Sequence, residues 1–131
     1  MLKSILIADD SAFVRQRLAE LFSWEPDFEV CAVAENGKRA IDKAEELHPD
    51  LILLDLSMPV MNGLDAARAL KRLMPDVPIV MFSIYSDSFT EREVRSAGVS
   101  ALVSKFEDIS ALVDIARNLL YPATLGYLSA A

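Results

Sequence analysis

Four large apolar residues in succession, Leu51-Ile52-Leu53-Leu54, run straight into the carboxylate of Asp55. Pro49-Asp50 bounds the run on one side and Met58-Pro59 on the other. A short continuous apolar run has no wet face to offer, so it fits a strand covered on both sides, as in a parallel sheet. Asp55 then emerges at the C-terminal end of that strand. An ionised carboxylate at the mouth of a buried strand is costly unless something compensates it. On this stretch alone two readings stay open: Asp55 caps the loop that follows, or it serves a ligand.

A second apolar strand, Ser4 to Ala8, also ends in carboxylates, Asp9 and Asp10. From Ser11 the pattern turns helical, with Val14, Leu18, Leu21 and Phe22 on one face, and it stops before Pro26. Phe28 to Ala34 alternates loosely and includes Glu29, as a half-exposed edge strand does. Asn36-Gly37 opens a helix with Ala40, Ile41, Ala44 and Leu47 inward, ended by His48-Pro49 because proline disfavours helical geometry in the residue before it. His48, the single histidine, reads as an exposed cation at a helix end.

After the Asp55 strand, Asn62-Gly63 opens a third helix with Leu64, Ala67 and Leu70 inward, ending near Pro75. Pro78 to Phe82 is a fourth strand. Ser86 to Ala97 is a poor helix, anchored only by Phe89, Val94 and Ala97, and Gly98 ends it. Such thin anchoring predicts a segment able to move. Ser100 to Ser104 is a fifth strand, followed by Lys105, and a strongly amphipathic helix from Asp108 carries Ile109, Leu112, Val113, Ala116 and Leu120. Five strands alternating with five helices predict an α/β doubly wound parallel sheet with right-handed crossovers.

The remaining features narrow the function classes. A chain of 131 residues is one domain, with no need of a disulfide or metal to hold it. A net charge of -7 with scattered Lys and Arg argues against nucleic-acid binding by this domain. The longest uncharged stretch, Asn118 to Ala131, is shorter than the roughly 20 residues of a membrane span and contains Pro122 and Gly126. The apolar run after Lys3 is too short for a signal peptide, so a cytoplasmic location is expected. Cys31 reads as a buried, inert thiol.

In a doubly wound sheet, ligands bind outside the carboxyl ends of the strands. Four of the five strand ends here carry polar chemistry: Asp9 and Asp10, Asp55, Ser83 and Lys105. Three converging carboxylates repel one another unless a cation joins them. Mg²⁺ suits one or two carboxylates plus waters and phosphate oxygens better than Ca²⁺, which wants six to eight oxygens. Lys105 and Ser83 add a positive charge and a hydroxyl donor for an anion with several oxygens, for which a phosphoryl group is the candidate.

At these residues the chain resembles the receiver domain of two-component response regulators, from Leu2 to about Leu120. The resemblance implies the flavodoxin-like receiver fold with strand order 2-1-3-4-5, a receiver over residues 1–120, and a tail or linker stub over 121–131. It implies Asp55 as phosphoacceptor, with Asp9, Asp10, Asp55 and the backbone carbonyl of Ser57 holding Mg²⁺. It makes Ser83 the switch hydroxyl and Lys105 the phosphate-binding lysine. Asp-Leu-Ser-Met-Pro with Asn62-Gly63 looks like the loop after the acceptor. The donor would be a sensor histidine kinase, a phosphotransfer protein or a small molecule such as acetyl phosphate. The response would be a change in partner or self association, including homodimer formation, through the fourth helix, fifth strand and fifth helix. The protein is then a switch and not an enzyme beyond its own phosphorylation and dephosphorylation.

Two residues depart from the commonest family pattern. Leu102 stands where an aromatic residue is frequent, and Phe106 follows the lysine where a cis-proline is common, which predicts a trans bond there. Tyr85 either overhangs the phosphoryl group or is a partly exposed loop aromatic. Three other readings are the regulatory half of a DNA-binding regulator, a Mg²⁺-dependent phosphohydrolase and an unphosphorylated scaffold. The second lacks a carboxylate two residues after Asp55, and the intact acidic set weighs against the third.

Overall fold

The computed structural model describes residues 2–84, 87–105 and 109–121. Tyr85, Phe106 and the tail from Pro122 to Ala131, on which expectations were placed, lie outside the described residues. The described chain alternates β1 (Lys3–Ala8), α1 (Ala12–Ser23), β2 (Phe28–Ala34), α2 (Gly37–Leu47), β3 (Leu51–Asp55), α3 (Gly63–Leu73), β4 (Ile79–Ser83), α4 (Ser88–Ser96), β5 (Ala101–Ser104) and α5 (Ala111–Leu120). All strand pairs are parallel, in the order β2-β1-β3-β4-β5. The expected doubly wound α/β architecture and strand order are both present.

Burial on two sides explains why the central strands carry no polar alternation. Leu51 and Leu53 of β3 pack with Ile5, Ile7, Val80 and Phe82 against Leu18 and Phe22 of α1 and Leu112, Val113 and Ala116 of α5. Ile52 and Leu54 face the opposite layer, with Leu6, Ile79 and Met81 against Ala40 and Ala44 of α2, Ala66, Ala67 and Leu70 of α3, and Val94 of α4. Successive residues of a strand point to opposite faces, so one five-residue run serves two cores.

Local chemistry sets the helix starts. Ser11, Asn36, Asn62 and Asp87 each adopt extended backbone, and their side chains accept from the N–H of Val14, Arg39, Asp65 and Thr90, satisfying otherwise orphaned donors. His48 ends α2 in the left-handed conformation with φ 50 and is exposed, as expected. β2 is an edge strand, as expected, and its register against β1 shifts between Ile5 and Leu6, opposite Cys31. The half-buried Cys31 thiol is pushed up from its ordinary pKa by burial, which favours the unreactive protonated form.

Two apolar residues expected inside are outside. Leu47 is 41% exposed. It is the last residue of α2, close to Asp50, whose N–H meets Ser4 at the N-terminal edge of the sheet, so the apolar stripe runs past the layer that would cover it. Phe89 is 62% exposed. Five residues of helix rotate it about 140° from Val94, the sole buried residue of α4, so the two cannot share a face. No helix among the described residues is long and apolar enough to cross a membrane.

A charged fork closes the sheet's N-terminal edge. Arg117 of α5 places Nη2 2.8 Å from both Glu25 Oε1 and Asp27 Oδ1, with Nε 3.0 Å from Asp27 Oδ2. Its guanidinium carbon lies 5.2 Å from the Phe28 ring centroid. Hydrogen bonding to Arg117 holds the Asp27 carboxyl below its ordinary pKa of 3.8. A depressed folded-state pKa contributes stability above the unfolded value and loses it as pH falls through the folded one. Arg117→Ala is therefore expected to cost about 1 kcal/mol at neutral pH, discounted for partial exposure, a difference that starts to shrink only below the ordinary carboxyl pKa and closes below the lowered folded-state one. Urea unfolding at neutral pH and over a series from about pH 4 down to about pH 2 checks this.

Candidate functional site

Three strand ends bring the charged residues together. Asp9 directly follows β1 and is fully buried, Asp55 is the last residue of β3 at 4% exposure, and Lys105 directly follows β5. Adjacent parallel strands end at the same edge, so sequence separations of 46 and 96 residues collapse to contact distance. Lys105 Nζ lies 3.0 Å from Asp9 Oδ2 and 3.2 Å from Asp55 Oδ1, bridging the two carboxylates. Exposed Asp10 completes the group: one carboxylate oxygen from each of Asp9, Asp10 and Asp55 lies within 4.8 Å of the others.

Main-chain donors fix these groups. The N–H of Ser11 donates to Asp9 Oδ1 at 2.8 Å, and the N–H of Asp9 donates to the Ala34 carbonyl at 3.0 Å. The Ser57 N–H donates to Asp55 Oδ1 at 3.3 Å. Ser83 closes β4 at 1% exposure, and its carbonyl accepts from the Lys105 N–H at 2.8 Å. All six expected site residues thus gather at one edge of the sheet.

The electrostatics call for a cation. Three carboxylates face one ammonium, leaving two negative charges in excess. Burial and then the neighbouring Asp9 charge push the Asp55 carboxyl from 3.8 up to about 6, against the pull of Lys105. Burial alone would lower the Lys105 pKa, but the hydrogen bond to Asp9 and the charge of Asp55 outweigh it and raise it, so the side chain stays an ammonium. Magnesium–oxygen distances of 2.0–2.1 Å put opposite ligands roughly 4 Å apart. The carboxylate spacing fits such a hard, oxygen-seeking cation with little closing.

Sequence reasoning did not find three contributors. Arg15 Nη1 donates to the Asp9 backbone carbonyl at 2.8 Å, one helical turn past the Ser11 cap. The Phe82 ring centroid lies 5.0 Å from Lys105 Nζ, a contact that no spacing announces. The third is the way the loop after Asp55 is held: the Gly63 N–H donates to the Leu56 carbonyl at 2.8 Å, and the Gly37 N–H to the Met61 carbonyl at 2.9 Å. Gly37 reads from the sequence only as the partner of a helix-opening asparagine, and Gly63 as that and as part of the loop after Asp55, with no sign in either of these contacts. Leu102 is partly buried against the core layer that holds Met81 and Val94.

Residues 5–117 match the family described as the response regulator receiver domain. The chain is 40% identical over 119 residues to a protein-glutamate methylesterase/protein-glutamine glutaminase of Aliivibrio fischeri, covering 88% of this chain and 31% of that protein. It is 35% identical over 113 residues to the transcriptional regulatory protein DegU of Brevibacillus brevis, covering 86% of this chain and 48% of that one. The chain thus spans about a third of the first relative and about half of the second. Among solved structures, the response regulator domain of Thermotoga maritima CheB superposes with a TM-score of 0.84 at 26% identity, over 92% of this chain and 98% of that one. A DNA-binding response regulator of the LuxR family from Staphylococcus aureus gives 0.85 at 27% identity, over 91% and 99%.

Proposed function

The chain belongs to the response regulator receiver family, and on that premise we propose that it is a signalling switch set by phosphorylation of Asp55. The observation that carries this reading is the bridging of Asp9 and Asp55 by Lys105 beside Asp10 at a single sheet edge. An Asp55 carboxylate oxygen attacks the phosphorus of a phosphohistidine on a kinase or phosphotransfer protein, or of acetyl phosphate. The new bond makes an acyl phosphate as the bond to imidazole nitrogen or acetate oxygen breaks and that group departs with the electron pair. Lys105 would hold fixed positive charge beside the transferring oxygens, and the Ser83 hydroxyl would donate to them. Asp9, Asp10, Asp55 and the Ser57 carbonyl would hold Mg²⁺, which neutralises phosphoryl charge when bound.

Several features support the rest of the assignment. A cavity of about 370 Å³ between α1 and α5, lined in part by Phe13, Arg17, Phe82, Lys105 and Ile109, offers a protein donor an apolar surface. α4 buries only Val94, so its packing is cheap to rearrange, and the face of α4, β5 and α5 is the one expected to respond. The chain carries no metabolic substrate of its own in this reading, residues 1–120 form the receiver, and a cytoplasmic location fits. Because the relatives are longer, its output would lie in an attached enzyme or DNA-binding domain, or in a separate partner.

Intact mass after incubation with acetyl phosphate is the test: one phosphoryl adduct that requires Mg²⁺ and is absent in EDTA. A folded, Mg²⁺-binding protein that never gains the adduct would sink the reading. Proton and cation compete for Asp55, since its carboxyl titrates near 6. Mg²⁺ affinity measured by calorimetry is accordingly expected to fall up to about tenfold for each pH unit below 6. A flat profile from pH 7 to 5 would contradict it.

A further inference from the structure

Leu56 to Gly63 leaves β3 beyond Asp55 and returns as α3, and its conformation is one a free loop would not keep. Val60 sits at φ 69, where β-branched side chains are genuine outliers. Its side chain is 78% exposed, so packing does not compensate the strain. The Met61 N–H donates to the Pro59 carbonyl at 2.7 Å, closing a γ-turn about Val60 of the rare, positive-φ kind. Strained backbone of this sort persists only where its surroundings over-determine it.

Two donors do so here. The Gly63 N–H holds the Leu56 carbonyl at 2.8 Å at the base of the loop, and the Gly37 N–H, at the start of α2, holds the Met61 carbonyl at 2.9 Å on its far side. A Cβ at residue 37 would lie 2.4 Å from that same oxygen and 3.1 Å from the Ala66 Cβ. The second bond therefore needs a glycine. Between the two anchor points lies Ser57, whose N–H rests on Asp55.

We propose that Gly37 is a positioning residue for the cation and phosphoryl site. Its N–H braces the strained Val60 turn through the Met61 carbonyl and so fixes the loop that sets Ser57 against Asp55. Gly37 belongs to another helix and acts only through the loop. The inference rests on the roles given above to Asp55 and Ser57. Binding couplings are reciprocal, so a cation that needs the loop fixed must itself strengthen the Gly37–Met61 bond.

The test pairs amide hydrogen exchange at Gly37 in the wild-type protein, with and without Mg²⁺, with calorimetric Mg²⁺ titration of Gly37→Ala and Gly37→Ala/Val60→Gly. Mg²⁺ is expected to slow Gly37 exchange severalfold, and Gly37→Ala to weaken Mg²⁺ binding by at least fivefold, roughly the lower end for a coupling between sites. Val60→Gly, which removes the strain without removing packing, should restore part of that affinity; a merely structural defect in α2 would not be repaired by an exposed side chain. A wild-type protein that binds Mg²⁺ and takes the phosphoryl group, yet shows identical Gly37 exchange in both states, overturns the proposal even if Gly37→Ala fails to fold. So does a folded Gly37→Ala protein of wild-type affinity. A wild-type protein that neither binds Mg²⁺ nor forms the adduct instead overturns the receiver reading of the site, and this inference with it.

Discussion

Asp55→Asn is expected to form no phosphoryl adduct under conditions that modify the wild-type protein, and to be the more stable of the two without Mg²⁺ at neutral pH. The first effect follows from the chemistry of the step. Each oxygen of Asp9 is already engaged, Oδ1 by the Ser11 N–H and Oδ2 by Lys105, so this buried neighbour does not replace the lost nucleophile. The second follows from linkage. The Asp55 carboxyl is raised to about 6 by burial and by Asp9, so its stabilising protonated form is fully present below about pH 4 and is lost as pH rises through 6. Ionised Asp55 at pH 7 therefore opposes folding by up to ~3 kcal/mol, net of its pairing with Lys105, a burden that asparagine lifts. Intact mass reads the first effect, and thermal unfolding in EDTA at pH 7 and 4 reads the second. A stability gain that does not shrink toward pH 4 would show that the cause is not this ionisation.

Gly63→Ala should cost roughly 3–5 kcal/mol, among the largest effects a single methyl can have. At an exposed helical position the same change is worth about +1 kcal/mol in the other direction. Here the added Cβ would lie 2.1 Å from the Asp55 carbonyl oxygen and 2.9 Å from both the Asp55 carbonyl carbon and the Leu56 Cα. All three are backbone atoms of β3 and the residue after it, so no side chain can swing aside. Relief requires moving α3 or the end of β3, and with it the 2.8 Å bond from the Gly63 N–H to the Leu56 carbonyl. Urea unfolding with an unchanged m-value measures the loss. A variant within 1 kcal/mol of wild type would mean that the approach of α3 to β3 is more yielding than this geometry allows.

What could be read from the chain came from patterns that are local. The apolar runs at Ser4–Ala8 and Leu51–Asp55 exposed their own burial because each lacks a polar face, and the asparagines at 36 and 62 marked helix starts through the caps they form. Periodicity went wrong where it met a boundary it does not encode. Leu47 keeps the helical spacing of Ala40 and Ala44 but lies beyond the covering layer, and Phe89 was grouped with Val94 by hydrophobicity despite its angular offset. Of the site, Asp9, Asp10, Asp55, Ser83 and Lys105 were legible because each stands at or just beyond a strand end.

The amino-acid sequence by itself determined which residues form the sheet, which strand ends carry charge, and, through the family resemblance, the strand order that sets those ends side by side. Tertiary structure alone decided the contacts that give the charges their properties: Lys105 between Asp9 and Asp55, Phe82 beside the ammonium, and the Asp55 carboxyl lifted to about 6. It also decided the close contacts of Gly37 and Gly63, whose N–H groups hold the Met61 and Leu56 carbonyls of the loop after Asp55. The division has a physical cause. Burial pattern and capping depend on neighbours along the chain, whereas pKa values and close backbone approaches depend on distances of a few ångströms between segments that only folding brings together.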